Sequence, residues 1–166
     1  ATVTGIDLSE GMLEVARRKA SADTGAAASG TKMTFLAADC LHLPMPDGTY
    51  DTVTAAYGVR NFEHLLRGYR EMYRVLRPGG TLCVIELSTP TSPLVKPLYR
   101  FYTRHIIPLA GRIVSRDVRA YSYLPESIAA VPQGESMLAL MCEAGFSATE
   151  HHPLTFGVCT IYIARK

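Results

Sequence analysis

The residues able to do chemistry gather at the ends of strand-like runs. Asp7 closes the first run, directly ahead of a helix. In open α/β sheets ligands bind at the carboxyl ends of strands, and an acid there commonly accepts hydrogen bonds from a ribose. The plainer role for Asp7 is an Asx-turn leading into a helix capped by Ser9. Asp39-Cys40 ends the second run, where an acceptor suits an adenine amino group. Ala55-Ala56-Tyr57-Gly58 ends the third, and its small residues let a ligand approach the backbone. Three successive strand ends of this kind point to a nucleoside site.

Gly58-Val-Arg-Asn61 follows at once. Arg60 supplies a fixed charge with up to five donors, suited to an oxyanion or an enolate-like oxygen. Asn61 carries a donor and an acceptor, and reads first as the N-cap of the next helix. Glu86 lies inside the apolar run Thr81–Leu87. Unpaired burial of an acid is costly, so Glu86 requires a partner or lines a pocket. His64, one turn into the following helix, reads as a surface residue. The adjacent pair His151-His152 points to opposite faces of a strand, which argues against a shared metal.

Positioning these groups takes a particular order of elements. Ala1–Asp7, Met33–Ala38, Tyr50–Tyr57 and Thr81–Leu87 read as strands. One helix starts at Ser9 with Met12, Leu13, Ala16 and Ala20 as its apolar stripe, and gives way to a loop over Asp23–Gly30. A second carries Phe62, Leu65, Leu66, Tyr69, Tyr73 and Leu76 at helical spacing and stops at Arg77-Pro-Gly-Gly80. Leu94–Ala110 and Tyr123–Ala130 read as helices without an intervening strand, an insertion at about 91–130. Glu135–Ala144 is a helix closed by Gly145. Ala148–His152 and Thr155–Ala164 form a terminal hairpin with Pro153 at its turn. This is the rhythm of a doubly wound α/β sheet, so a single domain is expected over 1–166.

Composition narrows the classes. The chain has 166 residues, 48% hydrophobic and 19% charged, ample for a packed core. A net charge of +2 is too balanced for a surface that holds nucleic acid along its length. No apolar run reaches the ~18 residues that span a bilayer. Cys40, Cys83, Cys142 and Cys159 form no CxxC pair, so zinc spacing is absent; small core roles in a reduced, cytoplasmic setting are expected. Between Leu94 and Ala120 six basic residues (Lys96, Arg100, Arg104, Arg112, Arg116, Arg119) face Asp117 alone, with Tyr99, Phe101, Tyr102, Ile106 and Ile107 interleaved. That pattern suits a membrane surface or an amphiphilic substrate, or a solvated helix face. A nucleotide-binding sheet also needs a Gly-rich turn after its first strand, and the chain has none there.

Asp7-Leu-Ser-Glu-Gly-Met12, Ala38-Asp39, Leu43-Pro-Met-Pro-Asp47, Tyr50-Asp51 and Arg74-Val-Leu-Arg-Pro-Gly-Gly80 follow the order of a class I S-adenosylmethionine-dependent methyltransferase. Gly58-Val-Arg-Asn61, Glu86-Leu-Ser-Thr-Pro90, Tyr121-Ser-Tyr-Leu-Pro-Glu-Ser-Ile128, Glu143-Ala-Gly-Phe146 and Leu154-Thr-Phe-Gly157 narrow this: the set resembles the ubiquinone/menaquinone biosynthesis C-methyltransferases. The resemblance implies a Rossmann-like, mostly parallel sheet with a C-terminal antiparallel hairpin. It also implies that the family's first strand and Gly-rich loop are missing, about 30 residues or more. An N-terminally truncated piece, without the cradle for the methionine part of the cofactor, is then expected.

Carried over by position, Asp7 binds the ribose hydroxyls of S-adenosyl-L-methionine, with Leu8 beside it. Asp39 and Cys40 border the adenine, and Ala56 and Tyr57 line the cofactor pocket. Arg60 and Asn61 fall at the substrate end, and 91–128 covers a polyprenyl quinol. The family places the base function around the arginine; a guanidinium barely loses its proton, so Arg60 is read as stabilising a phenolate, held by Asn61, while a water carries the proton. Peripheral membrane contact through 94–120 and a homodimer joined at an open sheet edge are further expectations. Competing readings are a methyltransferase acting on another small or lipid-like substrate, a dinucleotide-dependent oxidoreductase, and a non-catalytic assembly module.

Overall fold

The computed structural model describes residues 1–106 and 127–166, which form two compact units, Ala1–Pro46 and Asp47–Lys166. The first unit holds β1 (Thr2–Asp7), α1 (Glu10–Ala22), α2 (Thr24–Ala28) and β2 (Lys32–Ala37). β1 and β2 pair in parallel, Thr2 opposite Lys32 through Asp7 opposite Ala37. Gly5 faces Phe35 in this register, and a Cβ at Gly5 would meet the Phe35 ring at 2.7 Å, so the ring lies where only glycine leaves room. Ser9 caps α1 as expected, its Oγ accepting from the Met12 amide at 3.3 Å. The apolar stripe differs from expectation. Leu13 is buried and Val15, Ala16 and Ala20 are half-buried, while Met12 points outward. The expected loop over Asp23–Gly30 contains α2, because Thr24–Ala28 is Ala-rich and needs only one turn before Gly30 at φ +64°.

The second unit contains β3 (Tyr50–Ala56), a 3-10 turn (Val59–Asn61), α3 (Leu65–Val75), β4 (Leu76–Leu87), α4 (Val95–Phe101) and a π-helical turn (Tyr102–Ile106). After these come α5 (Glu135–Glu143), β5 (Ser147–Leu154), a 3-10 turn (Thr155–Gly157) and β6 (Cys159–Arg165). Its sheet order is β3-β4-β6-β5; β3 and β4 are parallel, and β6 is antiparallel to both neighbours. Parallel strands followed by a C-terminal antiparallel hairpin are expected from the sequence and are present, in two sheets, β1-β2 and β3-β4-β6-β5.

β4 is the central strand and starts earlier than its apolar run. Leu76 pairs with Tyr50, and the Gly79 amide donates to the Lys166 carbonyl, so Arg77-Pro-Gly-Gly80 stops the helix and already belongs to the sheet. Alternation along β4 buries Leu82, Val84 and Glu86 on one face. That face meets Tyr69 and Met72 of α3, Met137, Leu138 and Met141 of α5, and Tyr162 and Ala164 of β6. The buried Tyr69 hydroxyl donates to Met137 Sδ at 3.1 Å, and Tyr73 meets Phe146 edge-on, centroids 5.2 Å apart.

Two boundaries differ. Pro153 does not turn the hairpin: it lies within β5 opposite Thr160, and the chain reverses at Thr155–Gly157, where Thr155, Phe156 and Gly157 all have positive φ. An edge strand tolerates the missing amide. Asn61 does not cap α3. It ends the 3-10 turn, and the residue ahead of the helix is His64, exposed and without a side-chain cap. The expected helix over Leu94–Ala110 is α4 with its π-helical turn as far as Ile106, and one helical turn covers 127–130. The remainder of those two expected helices, Arg112, Arg116 and Arg119, and most of the Tyr121–Ile128 motif lie outside the described residues.

Leu82 sits fully buried at the middle of β4. Leu82→Ala is expected to lower the unfolding free energy of this unit by about 2–5 kcal/mol in urea titrations followed by circular dichroism. A loss below about 1 kcal/mol would place the core elsewhere.

Candidate functional site

In the first unit the parallel pairing brings Asp7, Asp39 and Cys40 to one edge, the carboxyl ends of β1 and β2. Each acid first organises its own turn. Asp7 Oδ1 accepts from the Ser9 amide at 2.8 Å, and Asp39 Oδ1 from the Leu41 amide at 2.8 Å. The Asx-turn reading of Asp7 is therefore right as far as one oxygen goes; a carboxylate has a second. Asp39 Oδ2 also stands 3.7 Å from His42 Nδ1. Burial pushes the Cys40 thiol up, and the charges of Asp39 and Asp7 push it further. Cys40 is thus a neutral group between two carboxylates. Leu8, next to Asp7, is exposed.

In the second unit β3 ends in a strained turn. Tyr57 has φ +56°, a conformation that costs a non-glycine residue of order 1–3 kcal/mol. Its carbonyl accepts from Arg60 Nη1, and its exposed phenol lies 3.7 Å from Cys159 Sγ. That contact raises the phenol, and the charges of Cys159 and Glu86 add to it, so Tyr57 stays protonated near neutral pH. Ala56, one residue earlier, is exposed at the strand end.

The partner that the sequence demands for Glu86 is Arg60. Glu86 is 1% exposed, and the Arg60 side chain 15%. Glu86 Oε1 accepts from Arg60 Nη1 at 2.7 Å and from the Leu87 amide at 2.9 Å; Oε2 accepts from the Arg60 amide at 3.2 Å. The carboxylate therefore grips both the main chain and the guanidinium of one residue. Arg60 Nε is buried with no partner among the described residues, an arrangement that costs about 1–3 kcal/mol. Behind the pair, Ser88 Oγ donates to the Gly157 carbonyl and meets Thr160 Oγ1 at 2.8 Å, which ties the end of β4 to the 155–157 turn. Asn61 is exposed beside Arg60.

The site residues thus fall into two groups, one in each unit: Asp7, Leu8, Asp39 and Cys40, and Ala56, Tyr57, Arg60 and Asn61. Cys159 and the Ser88–Thr160 pair join the second group unannounced by the sequence. The signal for them is slight, a small residue and a hydroxyl at the paired ends of β4 and β6. His151 and His152 take different neighbours, Glu135 at 3.7 Å and Glu150 at 3.5 Å. Cys159 is buried as expected of a core cysteine, Cys40 and Cys83 are half-buried, and Cys142 is exposed.

Comparison with known proteins fits this geometry. A demethylmenaquinone methyltransferase of Bacteroides fragilis is 43% identical over 162 residues, covering 98% of this chain and 64% of its own length. A ubiquinone/menaquinone biosynthesis C-methyltransferase of Geobacter sulfurreducens is 42% identical, covering 99% of this chain and 62% of the relative. This chain thus spans less than two thirds of either protein. Among solved structures, a SAM-dependent methyltransferase from Aquifex aeolicus superposes with a TM-score of 0.65 at 17% identity, over 99% of this chain and 68% of that one, a likeness of fold. The profile of the ubiE/COQ5 methyltransferases matches residues 1–166, and the chain belongs to that family.

Proposed function

We propose that the protein carries out S-adenosylmethionine-dependent C-methylation of a ring carbon of a polyprenylated quinol, a step of menaquinone or ubiquinone formation. Family membership over the whole of residues 1–166 carries this reading. The strand-end residues supply its chemistry.

The donor set suits the cofactor. One free carboxylate oxygen on Asp7 fits a ribose diol, and the neutral Cys40 with Asp39 fits the edge of an adenine. Leu8 offers apolar surface in the same unit; in the second unit Ala56, without a hydroxyl, and the Tyr57 backbone are our candidates for cofactor contact. When bound, the cofactor supplies a methyl group on a sulfonium, already a good leaving group. The protein's own task is then alignment and charge. Arg60 donates to the quinol oxygen as that oxygen gains negative charge, which pushes electron density onto the ring carbon. Asn61, exposed at the same turn, contacts the ring substituents. The quinol hydroxyl proton, and then the ring proton of the methylated carbon, would leave to water, while Arg60 keeps its own proton throughout. The segment that follows β4, from about residue 91, is our candidate for covering the substrate.

A greasy substrate calls for contact with a membrane surface, and the segment after β4 supports it. Leu94 and Leu98 are 86% and 69% exposed, Phe101, Tyr102 and Ile106 are exposed too, and Lys96, Arg100 and Arg104 share the stretch. Among the described residues no helix is long and apolar enough to cross a membrane, so the contact proposed is peripheral.

Four measurements test these statements. Calorimetry with S-adenosylmethionine, and methyl transfer to a demethylmenaquinol, should both succeed with the complete protein. Asp7→Ala should weaken cofactor binding at least about tenfold, as loss of a charge-assisted hydrogen bond requires; undiminished binding removes Asp7 from the site. Alkylation of Cys40 by iodoacetamide should need a higher pH than an ordinary exposed thiol does, because burial raises it, and should slow further with cofactor present. Co-sedimentation with vesicles containing anionic lipid should fall when Lys96, Arg100 and Arg104 are all changed to Gln, and fall with added salt. Equal sedimentation of both proteins would sink the peripheral contact.

A further inference from the structure

Three costs fall within a few residues of one another: a left-handed Tyr57, a charge pair taken out of water, and a buried guanidinium N–H with no acceptor. Stability alone does not account for them, because buried ion pairs replaced by apolar residues often leave a protein as stable or more so. What the arrangement secures is the placement of one group. Glu86 Oε2 fixes the Arg60 amide and Oε1 fixes Nη1. Nη1 in turn reaches back to the Tyr57 carbonyl, so Arg60 is tied at three points, two through its guanidinium and one through its amide. Glu86 itself is immovable, since it is fully buried in the central strand and also accepts from the Leu87 amide.

We infer that Glu86 is a positioning residue: it holds the Arg60 guanidinium at the substrate end of the site and, by neutralising it, sets the pH at which the substrate hydroxyl ionises. This rests on the function proposed above. The titratable groups around the carboxylate are Tyr57 at the end of β3, Tyr69 of α3, and Cys159 and Tyr162 of β6. Burial raises the phenols of Tyr69 and Tyr162, the Cys159 contact raises that of Tyr57, and the Glu86 charge adds to all three. All three phenols are therefore neutral at working pH, and Arg60 is the cation that Glu86 balances.

The sign of the effect follows. With Glu86 ionised the pair is neutral overall, and a phenolate beside it gains from directed donors alone. With Glu86→Gln the pocket carries a net positive charge, so the substrate ionises more readily while the guanidinium loses its anchor. In the complete protein, kcat of Glu86→Gln should fall about tenfold or more, as for other residues that orient a functional group. The acid limb of its kcat–pH profile should move to lower pH, a shift that general loosening would not produce. Cofactor affinity by calorimetry should stay within about twofold, and in an Arg60→Met background Glu86→Gln should add nothing further. An unmoved acid limb, or effects of the two substitutions that multiply, overturns the inference. Should Glu86→Gln not fold, Glu86→Asp keeps the charge and shortens the reach by one methylene; a lowered kcat with the acid limb in place supports the role, and wild-type kcat overturns it. Absence of methyl transfer by the wild-type protein, or full activity of Arg60→Met, would instead overturn the proposed function or the part given to Arg60.

Discussion

A carboxylate buried near the end of an apolar strand is the constraint on which the second unit turns. Glu86 lies in β4 on the same side of the strand as Val84, whose face packs against α3 and α5. An unbalanced charge there would be expelled or neutralised. The parallel pairing of β3 with β4 resolves this, because it brings the exit of β3 alongside the same end of β4. The chain leaves β3 through a left-handed residue, bends into a single 3-10 turn, and so delivers Arg60 onto Glu86. Strand register, turn conformation and ion pair are three descriptions of one requirement.

The first unit solves a different problem with the same chemistry. Asp7 and Asp39 both stand where a strand gives way to a turn, and each spends one oxygen holding that turn closed. The turn fixes the direction of the carboxylate, and the second oxygen then faces a defined place. Local structure and ligand recognition do not compete in such an arrangement. The hydrogen bond that shapes the backbone also orients the acceptor.

Much of this was legible in the sequence, for identifiable reasons. Strands ending in acids or small residues, a Pro-Gly-Gly stop and a buried Glu are local signals, and each corresponds to an observed feature. Glu86 could be seen to need a partner, yet its identity depends on which strand lies beside β4, a nonlocal fact. Asn61 and Pro153 misled because each has a common local role, helix cap and turn former; here the 3-10 turn and the edge position of β5 took precedence. Met12 fits a helical stripe by spacing but falls on the open side of α1, since two short strands offer little surface to cover it. The part given to Leu8 came from resemblance and not from any pattern of its own, whereas Ala56 drew notice as a small residue at a strand end.

Pro153 has a consequence beyond the hairpin. β5 bonds to β6 on one side, and in the sheet order it is a terminal strand. A terminal strand invites another chain to continue the ladder. Pro153 offers no amide, and Ala148 with φ +47° twists the strand near its start, where the register slips between Ser147 and Glu150. A visiting strand would meet a gap at one end and a bend at the other. The edge is thereby guarded against uncontrolled sheet growth.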